Sequence, residues 1–253
     1  MIIQRALVAA LLCAAALAAH AQQLTVSAAA SLTEALREIA TRFESGRPGV
    51  TVRLNFAASG PLLQQIVQGA PADVFVSADE ETVTRGVQAR VLDADSRRVF
   101  AANVLVLIRP IIAPPKHAPD LASPADLVRP EFKRIAIGKP ATVPAGRYTQ
   151  QALVAAGVWE SLQAKLVPSD SVRQVLDYVS RGEAEAGFVY RTDAALMATK
   201  VRVVGAVGGH VPIRYPAVVV SASPLKALAG DFVAFLSGPV AQDILARRGF
   251  SAP

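Results

Sequence analysis

The sequence predicts an α/β chain folded as two lobes of mixed sheet flanked by helices, with a ligand cleft between them. Three observations carry this expectation. Past residue 21, short β-branched runs alternate with apolar stripes of helical period, the pattern of layered α/β architecture. Two extended runs, NVLVLIRP (103–110) and IRYPAVVVS (213–221), read as crossings between lobes, and two crossings imply one discontinuous lobe and one inserted lobe. Residues 22–253 are also enough for one large domain or for two lobes of about 100 residues each. The expected division is 22–105 with 217–253 for the first lobe and 106–216 for the second.

The chain opens with a secretory leader over 1–21: Arg5 supplies the positive start, 6–19 is an apolar run, and Ala19-His20-Ala21 has the small-x-small form of a cleavage site. The run falls short of the roughly 20 residues that cross a bilayer, so the expected product is exported, cut near Ala21 and periplasmic. A lipid anchor would need Cys13, but Leu12 before it is too large for a lipoprotein cleavage site. Cys13 is the only cysteine, so the mature chain has no disulfide, thiolate nucleophile or sulfur ligand. Formal net charge is +6, one unit of it from Arg5, with no run of Lys and Arg. That argues against nucleic acid as a partner and fits a mild preference for anions.

Strands are expected over 24–28, 50–56, 72–77, 104–108, 134–137, 186–189, 201–204 and 213–220. Between the first two, Leu32, Ala35, Leu36, Ile39, Ala40 and Phe43 recur at helical spacing and define one apolar stripe. Further helices are expected over 61–68, 82–89, 146–156, 159–165, 172–180, 194–198 and from 225 to about 248.

The strand-to-helix joins hold the chemistry. LTVSAAASLTEAL (24–36) places three alanines and Ser31 at its turn, and Ser31 with Glu34 reads as a capping box. NFAASGPLLQQI (55–66) repeats the design, with Ser59 ahead of Gly60 and Pro61. Helix starts with small residues are ready anion sites, because free N–H groups point outward and the macrodipole favours negative charge. The later joins are similar: Pro144-Ala145-Gly146 leaves its amides unobstructed, Ser169, Asp170 and Ser171 are available to cap a helix from Val172, and Tyr190 ends a strand. Taken singly, Ala145 reads as a tight turn, Val172 as an ordinary first-turn residue and Tyr190 as a half-buried aromatic.

Together these segments resemble one family. AAASL (28–32), FAASG (56–60), GAPADVFVSAD (69–79), VPAG with Tyr148, DSVRQ (170–174), GFVY with Asp193, and GPVAQDILARRGF (238–250) are similar to the periplasmic molybdate-binding proteins of ABC-type molybdate importers, in the same order along nearly all of the mature chain. The resemblance implies a type II periplasmic-binding fold. It also implies an oxyanion, molybdate and by extension tungstate, held by the hydroxyls of Ser31, Ser59 and Tyr190 and by the backbone amides of Ala145 and Val172. It implies a membrane permease as partner, a monomer, no cofactor and no direct ligand to a metal cation. A fully deprotonated tetrahedral dianion has only acceptor oxygens, so donors suffice, and small side chains let the backbone approach it. Arg147 and Arg173, beside the amide donors, are expected as solvated surface charge.

Other classes leave weaker traces. Ser223-Pro224-Leu225-Lys226 matches S-x-x-K, but the partner motifs of penicillin-recognising enzymes are absent. No G-x-S-x-G or H-E-x-x-H occurs, and His117 and His210 lie in loop-like sequence. Asp79 and Glu80 suit a helix start better than paired acids. No catalytic residue is expected. The remaining rival is the same fold with another cargo, a sulfate-like anion or a small organic ligand.

Overall fold

A computed structural model describes residues 22–111 and 121–253. The expected leader and residues 112–120, His117 included, lie outside the described residues.

The first sheet is built around β1 (Gln22–Ala29), which pairs in parallel with β2 (Val50–Ala57) on one side and β3 (Val74–Val76) on the other. Flanked on both sides, β1 buries Leu24, Val26 and Ala28 completely, as an interior parallel strand does. The edge strand β2 alternates instead: Val50, Val52, Leu54 and Phe56 are half-buried and the residues between them exposed. Helix α1 (Thr33–Ser45) lays the predicted stripe of Leu36, Ile39 and Phe43 on this sheet, and α2 (Ser59–Val67) and α3 (Glu80–Gln88) follow β2 and β3.

The chain then leaves through β4 (Arg98–Asn103) and enters the second sheet at β5 (Leu105–Pro110). That sheet is completed by β6 (Ile135–Gly138), β7 (Leu166–Ser169), β8 (Ala186–Tyr190) and β9 (Val201–Ala206), in the order β7-β6-β8-β5-β9. Its helices are α4 (Pro144–Ala155), α5 (Trp159–Leu162), α6 (Val172–Ser180) and α7 (Arg191–Leu196). The chain returns through β10 (Ile213–Val219), which lies antiparallel between β3 and β4, giving the first sheet the order β2-β1-β3-β10-β4. Both sheets are mixed, as predicted.

The second crossing is earlier than the sequence suggested. Ile213–Val219 is paired to β3 and β4 along its length, so the chain passes back between Ala206 and Ile213 and not at 216/217; likewise Leu105 already pairs with Tyr190 of β8. Both runs form strands, as expected, but β5 pairs wholly within the second sheet and β10 wholly within the first, and neither itself spans the lobes. The crossings lie side by side, since Asn103 pairs with Ile213, and Val207 N–H donates to Leu105 O at 2.9 Å.

Two strands were not expected. β4 and β7 (LVPS) are both edge strands, and β7 carries Pro168, tolerated at an edge where a missing N–H costs no ladder bond. Pro216 is tolerated inside β10 because the register with β4 shifts between Tyr215 and Pro216. The helical run from 225 divides into α8 (Lys226–Leu236) and α9 (Pro239–Arg247), bent by 53° at Ser237-Gly238, with Pro239 at the first position of the new helix. The chain ends on β4, where Ala102 and Ser251 exchange backbone hydrogen bonds of 2.8 and 3.1 Å.

Candidate functional site

Parallel pairing decides where the joins meet. β1, β2 and β3 run in one direction, so their carboxyl ends and the helix starts after them share one edge of the first sheet; β6, β7 and β8 do the same in the second. Ligands in open α/β sheets are bound at such edges. Here the two edges face each other across a small cavity of about 10 Å³, open at its rim. It is lined by Ala29, Ala30, Ser31, Ala58, Ser59 and Ala78 from the first lobe, and by Val143, Pro144, Ala145, Val172 and Tyr190 from the second. All five residues singled out in the sequence are therefore brought together, and no charged side chain is among the lining residues.

Each donor has a local reason for its place. At α4, Val143 offers no side-chain cap and Pro144 has no N–H, so the amide of Ala145 is the first of the helix and has no partner within it. The helix start sits on the end of β6: a Cβ on Gly146 would lie 1.9 Å from Gly138 O. At α6, Ser171 caps by accepting from Gln174 N–H at 3.2 Å, leaving the Val172 amide at the first position. Ser59 opens α2, and its Oγ accepts from the Ala78 N–H at 3.1 Å. Tyr190 ends β8 almost wholly buried; its Oη has no hydrogen-bond partner among the described residues, and burial raises its phenol well above the usual value.

Ser31 differs from the capping-box expectation. It lies in a 3-10 turn over Ala30–Leu32 and caps no helix; its Oγ is 3.1 Å from Tyr215 Oη. Glu34 does not reach back to it but takes the Arg173 guanidinium in a two-pronged contact of 2.6 and 3.2 Å. Burial opposes ionisation of Glu34, yet Arg173 holds its carboxyl below the usual range.

Arg173 and Arg147 are consequently not the solvated charges expected. Arg173 bridges the lobes, with Glu34 and Ser31 O on one side and Asp193 Oδ1 at 2.8 Å on the other. Asp193 is fully buried and gathers the N–H of Tyr190 at 3.2 Å; burial, countered in part by Arg173, pushes its carboxyl up to about 6. Arg147 spans the seam on the other flank, paired with Asp79 and with Glu81 at 3.1 Å. Asp79 itself caps α3, accepting from Thr82 N–H at 3.0 Å. A direct backbone bond joins the lobes too, Gly60 N–H to Thr142 O at 3.0 Å, and a Cβ on Gly60 would meet that oxygen at 2.4 Å. Tyr215, Asn103 and the Ala78 amide, which hold these groups from behind, carried no signal in the sequence. Among the described residues no group of His, Cys, Asp and Glu could hold a metal ion.

Two α/β lobes that bring neutral donors to a small shared cavity have the architecture of a solute-binding protein. A model of the bacterial extracellular solute-binding protein family matches residues 24–251, and the chain belongs to that family. It is 38% identical to the molybdate-binding protein ModA of Escherichia coli K12 over 230 residues, covering 90% of this chain and 89% of that one. Among solved structures it is similar to the Azotobacter vinelandii periplasmic molybdate-binding protein, with a TM-score of 0.76 at 28% identity and coverage of 91% and 99%. The sulfate-binding protein SubI of Mycobacterium tuberculosis superposes with a TM-score of 0.77 at 19% identity, covering 91% and 87%, a likeness of fold alone. The expected two-lobed periplasmic-binding fold and the resemblance to molybdate-binding proteins are thus both borne out.

Proposed function

We propose that this protein is the molybdate-binding component of an ABC importer, that it also takes tungstate, and that Ser31, Ser59, Tyr190 and the amides of Ala145 and Val172 are the donors that hold the anion. The observation that carries this reading is the lining: hydroxyls and amides with no carboxylate and no cation among them. Such a set suits a ligand whose every oxygen accepts and gives nothing back. Neutral donors avoid the cost of burying a fixed cation, while each charge-assisted bond to the anion contributes about 1.5–3 kcal/mol. Because each lobe supplies part of the set, the anion bonds fully only when the lobes meet and draws the equilibrium toward the closed form. In this reading the closed form is what a membrane permease receives, the protein acts as a periplasmic monomer after removal of 1–21, the anion is cargo, and no cofactor or catalytic residue is needed.

The test is thermal unfolding with molybdate, tungstate, sulfate, phosphate and no addition. Ligand at about 1,000 times its Kd stabilises by roughly 4 kcal/mol, on the order of 10 °C for a chain of this size. A shift with molybdate and tungstate but not with sulfate is expected. A folded, ligand-free protein that none of the anions stabilises has another cargo.

A further inference from the structure

The hydrogen bonds behind Ser31 take their direction from an obligatory donor at one end of the series. Asn103 Oδ1 accepts from the Val104 N–H at 2.8 Å, and a backbone N–H can only donate, so the Nδ2 of the same amide faces the other way. That nitrogen donates to Thr192 Oγ1 at 2.9 Å and to Tyr215 Oη at 3.2 Å. Tyr215 is 0% exposed, and burial raises its phenol far above the usual value, so it keeps its single proton. Having accepted from Asn103, Tyr215 Oη has one other partner among the described residues, Ser31 Oγ at 3.1 Å. Its proton therefore lies on that bond. Ser31 accepts from behind, and its own proton is left for the cavity it lines. Ser59 is arranged alike, its oxygen accepting from the Ala78 N–H, again an obligatory donor.

We infer that Tyr215 is a positioning residue which, anchored by Asn103 at the crossing between lobes, orients Ser31 to donate into the cavity and so favours ligands that carry no proton of their own. This rests on the oxyanion reading given above. A serine free to turn can present either its proton or a lone pair to the cavity; one that accepts from Tyr215 behind it has its proton aimed at the cavity. Hydrogen phosphate presents an O–H that must find an acceptor, and a Ser31 oriented to donate disfavours that contact. Molybdate, fully deprotonated, loses nothing. Replacing Tyr215 with Phe keeps the ring and its edge contacts to Tyr190 at 6.0 Å and Phe250 at 5.4 Å, and removes only the oxygen.

The test is calorimetric titration of wild type, Tyr215→Phe, Ser31→Ala and the double variant with molybdate and with inorganic phosphate near neutral pH. Tyr215→Phe is expected to weaken molybdate about tenfold, the value of one net hydrogen bond, to do nothing further in the Ser31→Ala background, and to narrow the ratio of phosphate to molybdate Kd. A loss of packing would instead weaken both anions equally and persist without Ser31. An unchanged molybdate Kd in Tyr215→Phe, or the same loss with and without Ser31, overturns the inference. A readout free of cargo is NMR of the Tyr215 hydroxyl proton in the protein without added anion. It is expected to exchange slowly and to shift in Ser31→Ala; indifference to Ser31→Ala overturns the relay. A wild type that shows this resonance but takes up no molybdate refutes the cargo and leaves the relay standing.

Discussion

Tyr190→Phe offers a test in which stability and binding move in opposite directions. The Tyr190 ring is buried and its Oη has no hydrogen-bond partner among the described residues. A buried hydroxyl left unpaired costs about 1–3 kcal/mol. Removing that one oxygen keeps the ring and its edge-on contact with Tyr215, at 6.0 Å and 64°. The protein without anion is therefore expected to gain about 1–3 kcal/mol, which at about 2–4 °C per kcal/mol for a chain of this size raises Tm by roughly 2–12 °C. With the anion bound, the same oxygen would donate to a charged acceptor, so its loss weakens molybdate about 10- to 150-fold, equivalent to about 1.5–3 kcal/mol. Scanning calorimetry of the anion-free protein and titration with molybdate measure the two effects separately. A lower Tm together with weaker binding would mean that the ring, not the hydroxyl, was disturbed. An unchanged Kd would remove Tyr190 from the donor set.

Ser59→Ala reverses the first of those signs, because the buried Ala78 N–H loses its acceptor: the anion-free Tm falls by about 2–12 °C and molybdate binding weakens, read in the same two experiments. Gly146→Ala drives a Cβ to 1.9 Å from Gly138 O, a backbone atom that no rotamer change can move away. A loss of about 1–3 kcal/mol or more is expected, seen as a lower Tm, and a Tm within a degree of wild type would contradict the close approach of α4 to β6. Arg147→Ala leaves Asp79 without its cation across the seam while leaving the cavity lining intact. Molybdate affinity is expected to fall about tenfold, and a Kd unchanged at low salt would show that this pair does not favour closure. Asp193, fully buried and raised to about 6, takes up its proton in the folded chain before the unfolded one. Its contribution to stability therefore rises as pH falls from about 7 to 5, so wild type gains on Asp193→Asn by on the order of 1 kcal/mol over that range. A constant difference between the two in denaturant titrations at both pH values would refute the buried, proton-hungry carboxyl.

The sequence showed those parts of the molecule whose cause is local. The stripe of Leu36, Ile39 and Phe43, the Pro144-Ala145-Gly146 start of α4 and the Ser171 cap of α6 each depend on neighbours within a few residues, and each stands where periodicity or capping chemistry put it. Where a distant partner decides, the local signal misled. Glu34 sits at capping-box spacing from Ser31, but Arg173, 139 residues away, offers it a two-pronged ion pair. Arg147 has no acid at helical spacing, and Arg173 has Asp177 four residues on in its own helix, yet both pair across the seam with acids far away in sequence that nothing near them announced. The strand at Leu166–Ser169 went unexpected, its Pro168 permitted by an edge position, and β10, expected as a strand, was placed across the lobe boundary because its partners lie more than 100 residues earlier. The small residues of the cavity were legible as space for a ligand; the hydrogen bonds that aim its serines were not, since Tyr215 and Asn103 meet Ser31 only through the assembled first sheet.

The absence of charged side chains from the cavity lining also bears on how loading can be followed. With no group in the lining that must gain or lose a proton, capture of a doubly charged anion shifts the net charge of the whole protein by two full units, and the lining itself exchanges no hydrogen ion with the medium. Well above the pH range in which the neighbouring Asp193 titrates, the heat of titration is then independent of the ionisation enthalpy of the buffer, and loaded and empty molecules of nearly equal size separate in an electric field. Because the free chain is weakly cationic, each captured anion cancels part of that surplus, so the field around the loaded molecule differs from that around the empty one before any surface of the two is compared.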